Sequence, residues 1–171
     1  FQPYPLKTEN GVSQPLLEWS GDFVLGESTM DETHREFVEL LNRVGAASDD
    51  DLPGALDDFI AHTESHFGQE DRWMQATAFP PLHCHQGEHA NVLEIVREVR
   101  KRVTEGQFHL GAVLAKAIAE WFPNHAATMD AMLAAFMKQS GYVPGLQATP
   151  MPAESIMPST AMGCAGLAKN A

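Results

Sequence analysis

His66 and Glu70 stand four residues apart, and so do His85 and His89. On an α-helix that spacing puts both side chains on one face, about one turn apart, so each pair can approach a common metal site. His34 lies near the register of Phe37 and Leu41 on an earlier amphipathic segment, and His125 is followed five positions later by Asp130. Five residues on a regular helix give an offset of roughly 140°. A small site would not accept that offset. Two ions a few ångströms apart present a wider target, and a bridging carboxylate can be reached from a different angle than an imidazole. Imidazole and carboxylate without thiolate suit iron, manganese or zinc. Seven donors are too many for one four-coordinate zinc and too few to saturate two octahedral ions. With both carboxylates and a hydroxide or oxide bridging, one ion has three imidazoles and is six-coordinate. The other has two imidazoles, is five-coordinate and keeps an open position. Two ferrous ions, two carboxylates and one hydroxide leave a single positive charge in such a site.

Four helices must position these residues. Asp31 to Ala47 places Phe37, Leu40, Leu41 and Val44 at helical spacing, with Thr29 or Asp31 available as the cap. A second helix is predicted from Asp51 and Pro53 to about Thr77, where Pro80 and Pro81 enforce a break, and a third from Leu82 to Thr104, ended by Gly106. The fourth runs from Phe108 to Gln139, with a kink expected across Ala119 to Pro123 because an interior proline deletes a ladder bond. The fold class is therefore all-α, an up-and-down four-helix bundle over residues 18–142. Residues 1–17, with three prolines, read as an extended N-terminal arm, and 143–171, rich in Pro, Ala and Met, as a flexible tail.

The 171 residues suit one domain. Eleven Lys and Arg against 23 Asp and Glu give a net charge of −12, which repels nucleic-acid phosphates and anionic lipid headgroups. No apolar run is long enough for a membrane span, and Phe1 to Asn10 lack a secretory pattern. With only two distant cysteines, Cys84 and Cys164, a disulfide framework is not expected, and the default location is cytoplasmic. Eight histidines beside only 11 Lys and Arg are the unusual item of composition. A single histidine on an apolar helix face is more often a hydrogen-bonded core residue than a ligand. Seven ligand-type residues in one register reverse that weighing. His83 and His109 read as surface residues, His62 as an outer neighbour of the ligands, and Cys84 as structural or incidental.

Trp19 with Gly26, Asp31 and His34, then His66-Phe67-Gly68-Gln69-Glu70-Asp71 with Trp73-Met74, then Phe79-Pro80 with His85 and His89, and finally Trp121-Phe122 with His125 and Asp130 closely resemble the hemerythrins, especially the single-domain bacterial members. The likeness covers about residues 16–142. It implies a four-helix bundle holding two non-haem irons with a bridging oxo or hydroxo group, and reversible dioxygen binding rather than an enzyme. By that resemblance His85, His89 and His125 match the ligands of the coordinatively filled iron, His34 and His66 those of the oxygen-binding iron, and Glu70 and Asp130 the bridging carboxylates. Trp121 and Phe122, one turn before His125, match the wall of a dry oxygen pocket. Two positions depart from the family pattern: His62 stands where an aromatic residue, often Tyr, is common, and Pro123 where the helix is normally unbroken. Ferritin-like oxidases use Glu-x-x-His pairs, which this chain lacks. Hydrolase, P-loop and dinucleotide signatures are absent as well. The alternatives are an oxygen or redox sensor module, or a diiron enzyme consuming peroxide, nitric oxide or oxygen. Beyond dioxygen, a protein recipient is not identified.

Overall fold

A computed structural model of the protein describes residues 14–146. The expected arm enters these residues only at 14–17 and the expected tail only at 143–146; the remainder of both lies outside the described residues. Helix α1 spans Ser28–Ala46, α2 Leu52–Ala76, α3 Leu82–Thr104 and α4 His109–His125. A π-helical turn, Ala126–Asp130, then joins α4 to α5, Ala131–Ser140, so the fourth rod of the bundle is built from three pieces. No strand occurs among the described residues. Helix α1 packs against α2 and α4, α2 against α3, and α3 against α4, which is the neighbour pattern of an up-and-down four-helix bundle.

Three local features differ from the sequence expectation. Glu27, not Thr29 or Asp31, caps α1, its carboxylate accepting the Met30 N–H at 2.7 Å. Asp31 instead reaches back and accepts the N–H groups of Leu25 and Gly26 at 2.7 and 3.1 Å, pinning the turn that feeds the helix. A carboxylate has two acceptor oxygens and can serve two loop donors where a cap serves one. The third difference concerns Pro123. Helix α4 continues through it to His125, so Pro123 does not interrupt the helix, and the hydrogen-bond register changes later, at Ala126–Asp130. Proline removes only one ladder bond, and the freed carbonyl of Ala119 sits on a half-exposed residue where water can serve it. The change of register occurs where a buried carboxylate has to turn inward.

The core is divided in two. One apolar cluster gathers Phe37, Leu41, Leu56, Phe59, Val92, Val96, Leu114, Ile118 and Phe122; the other gathers Met30, Trp73, Met74, Phe79, Leu133, Phe136 and Met137. Each rod passes from one cluster to the other: Met30 to Phe37, Phe59 to Trp73, and Phe122 to Leu133, while on α3 Leu82 packs on the second cluster and Val92 belongs to the first. The residues between these anchors are His34, His66 with Glu70, His125 with Asp130, and His85 with His89. A polar layer is thus held between two dry plugs. Before α1, Leu17 is clamped to Asn42 by two hydrogen bonds of 3.1 and 2.7 Å, and Trp19, Phe23 and Phe122 stack in series toward α4. At the other end of α2, Ala78 adopts a left-handed conformation (φ 52°) while the Phe79 N–H bonds the Met74 carbonyl at 2.9 Å, closing the helix and turning Phe79 into the second cluster. Cys84, half-buried at the start of α3, is not a free thiol, in line with the structural side of its reading.

Candidate metal centre

All seven residues singled out by spacing are buried and meet in the polar layer. The helical pairs on α2 and α3 do so through ordinary one-turn spacing. His125 and Asp130 do so because the π turn lies between them. Its i→i+5 hydrogen bonding is completed by the Ala131 N–H on the Ala126 carbonyl, and this wider winding brings residue i+5 to nearly the bearing that i+4 has on a regular helix. Thr128 helps to hold the turn, its hydroxyl donating to the Asn124 carbonyl at 2.7 Å.

The two carboxylates divide their oxygens between two groups of imidazoles. Glu70 Oε1 lies 2.9 Å from His66 Nε2 and 3.5 Å from His34 Nε2, whereas its Oε2 lies 3.4 Å from His85 Nε2 and 3.3 Å from His89 Nε2. Asp130 repeats the division, with Oδ2 at 3.2 Å from His34 Nε2 and Oδ1 at 3.0 and 3.1 Å from His85 and His125 Nε2. One half of the layer therefore has two imidazoles and the other three, with both carboxylates spanning the halves. His34 Nε2, His89 Nε2, Glu70 Oε2 and both Asp130 oxygens are buried without a hydrogen-bond partner despite these short approaches. Burying polar atoms unpaired costs about 1–3 kcal/mol each. Lone pairs that converge without bonding one another are what a pair of cations would occupy, and a set of five imidazoles and two carboxylates fits iron by ligand type.

Electrostatics in this layer is tightly coupled. Burial opposes charge on His34 and His125, but Asp130 and Glu70 outweigh it, with Glu88 adding to the effect on His125; the pKa values are pushed up to about 9 and about 10. His85 moves up for the same reason, while burial dominates at His66 and pushes it down. Burial also opposes ionisation of Glu70 and Asp130, yet the surrounding imidazoles hold both well below the usual carboxylate range. An imidazole must lose its proton to ligate. Ferrous iron added anaerobically to the metal-stripped protein at about pH 7.5 is therefore expected to release protons, with apparent affinity rising as pH climbs toward 9–10. A pH indicator in weak buffer reads this directly, and a pH-independent titration without proton release would contradict it. The linkage has a second face. Because these two histidines titrate higher folded than unfolded, the stability they give the stripped protein is full below about 6.5 and is lost as pH rises through 9–10.

The surroundings contain residues that spacing did not reveal. Glu88 Oε2 stands 2.9 Å from His125 Nδ1 and 3.2 Å from Trp121 Nε1, and Asp71 Oδ1 stands 3.3 Å from His89 Nδ1. Their adjacency to His89 and Glu70 in the chain was the available signal. The two aromatic residues expected to line one pocket separate. Phe122 meets His34 edge-on (centroids 5.3 Å apart) and packs on Phe37, beside the two-imidazole half. Trp121 lies over His125 at 4.4 Å, on the three-imidazole half. Phe37 also meets His66 edge-on, and Phe67 stacks on His89 at 3.9 Å. His62 lies outside the cluster; its Nε2–H donates to the Thr33 carbonyl at 3.1 Å, so it ties α2 to α1 next to His34. His83 and His109 are exposed, as expected.

Comparison with known proteins agrees with this architecture. The family profile described as the hemerythrin HHE cation binding domain matches residues 25–137. A bacteriohemerythrin of Ralstonia nicotianae is 47% identical over 127 residues, covering 74% of this chain and 93% of that protein. A bacteriohemerythrin of Stenotrophomonas maltophilia is 28% identical over 114 residues, covering 64% and 74%. A hemerythrin of Sipunculus nudus is 28% identical over 119 residues, covering 70% and 91%.

Proposed function

This chain belongs to the hemerythrin family, and on that premise we propose that it binds dioxygen reversibly at a non-haem diiron centre, as a carrier or store rather than as an enzyme. His34 and His66 would hold one iron, His85, His89 and His125 the other, and Glu70 and Asp130, which face both groups of imidazoles, would be shared between them. The observation that carries this reading is the division of each carboxylate between the two groups of imidazoles. Bound there, two irons would supply the electrons that oxygen binding draws on and would regain them on its release.

The chain's own residues account for the rest. The two-imidazole half has one protein donor fewer than its neighbour, so an added ligand belongs there. Phe122 and Phe37 cover that half with apolar rings, which excludes the water that would promote loss of a reduced oxygen species. The bulk negative charge lies away from this layer and serves solubility. Among the described residues no helix is long and apolar enough to cross a membrane.

The reduced protein, followed by visible absorption through alternating oxygen and argon, is expected to return to its starting spectrum on each argon step. One-way conversion to a ferric product would favour a sensor or an oxygen-consuming enzyme. One metal ion per chain, or zinc alone, would overturn the diiron assignment itself.

A further inference from the structure

Glu88 is a buried carboxylate that oxygen binding, as described so far, does not use. It sits on α3 between His85 and His89, yet both of its contacts are on the fourth rod: Oε2 faces His125 Nδ1 at 2.9 Å and Trp121 Nε1 at 3.2 Å. An indole nitrogen only donates. His125 can offer a lone pair at Nε2 only if its proton is on Nδ1, so that nitrogen donates as well. One carboxylate oxygen therefore receives two N–H bonds, the arrangement of an ionised acceptor. On the same half, His89 Nδ1 faces Asp71, which is part-exposed. His85 Nδ1, also on this half, is buried with no hydrogen-bond partner, so two of its three imidazoles have a carboxylate behind them; on the other half neither does, the Nδ1 atoms of His34 and His66 being buried with no partner.

An imidazole that donates its remote N–H to a carboxylate becomes a stronger electron donor to the metal on its other nitrogen. Glu88 also brings one negative charge beside a site whose ions, bridges and hydroxide sum to a single positive charge. We propose that Glu88 is a positioning and tuning residue: acting through His125, and moderated by the Trp121 N–H that shares its oxygen, it lowers the reduction potential of the three-imidazole iron and so makes the two halves of the centre electronically unequal. This rests on the diiron reading.

The test is the midpoint potential of the iron-loaded full chain, measured by spectroelectrochemistry under argon, after iron content has been determined. Glu88→Gln keeps the shape and removes the charge; its potential is expected to move positive of wild type, with iron lost to a chelator about 10–100-fold faster. Trp121→Phe removes the competing N–H and leaves Glu88 with His125 alone; its potential is expected to move negative. Opposite shifts distinguish electronic tuning from loss of packing, which has no reason to change sign with the group removed. Shifts of the same sign, or none in either variant, overturn the proposal. If Glu88→Gln does not retain iron, the Trp121→Phe shift alone decides, and its absence or a positive value is fatal. Failure of the wild-type chain to hold two irons refutes instead the diiron reading on which the proposal stands.

Discussion

Glu70→Ala protein is expected to carry far less than the wild-type complement of iron, whereas His83→Ala protein keeps all of it. Glu70 is the residue on which the two halves depend together: its two oxygens lie within 3.5 Å of four imidazole nitrogens contributed by α1, α2 and α3. On the proposed assignment, removing it would take one donor from each iron at once and also the negative charge that would let two dications share a buried space. Loss of a partner outside the ligand set already costs about 10–100-fold in metal affinity or activity, and loss of a shared ligand should exceed that. Iron per chain, measured colorimetrically after identical loading, gives the answer. His83 is exposed on the first turn of α3 and faces away from the cluster, so it controls for the general cost of deleting an imidazole. Full iron content in the Glu70 variant would remove Glu70 from the ligand set.

Phe122→Ala should give a large loss of stability while leaving every proposed ligand in the chain. The ring is fully buried and stacks on Phe23, tilts on Phe37 and stands edge-on to His34. Truncating a core phenylalanine costs about 3–5 kcal/mol, because the surrounding side chains only partly refill the space. The cavity would open next to the two-imidazole half. A lower denaturation midpoint should therefore be accompanied by faster conversion of the oxygenated protein to its ferric form. Phe122→Leu, which refills most of the volume with apolar atoms, should recover much of both losses. An unchanged oxidation rate in the alanine variant would show that Phe122 supports the fold without guarding the site.

Most of the ligand geometry was legible from spacing because an α-helix converts sequence intervals into directions. His66 with Glu70 and His85 with His89 needed nothing beyond that rule. The boundaries of α3 were equally readable, since Pro81 and Gly106 bracket it. Other features were hidden for identifiable reasons. Glu88 and Asp71 are carboxylates on helices in an acidic chain, and apart from their adjacency to His89 and Glu70 nothing local separates one that turns inward to an imidazole from the many that face water. Glu27 takes the cap in place of Asp31 because Asp31 is engaged by the Leu25 and Gly26 N–H groups of the turn that enters α1. Trp121 and Phe122 face different imidazoles because neighbours on a helix point about 100° apart.

The turn at Ala126–Asp130 has a consequence for how such sites can change over time. A π turn is an α-helix that has absorbed one additional residue without ending, the surplus being taken up by a locally wider coil. Four residues of α-helix and five of π-helix deliver the second side chain to nearly the same bearing, so an insertion here would have left the carboxylate facing its imidazole. What a metal site requires of a helix is the direction of a ligand rather than its count along the chain, and a spacing that looks one residue too long is one that the backbone, not the metal site, can accommodate.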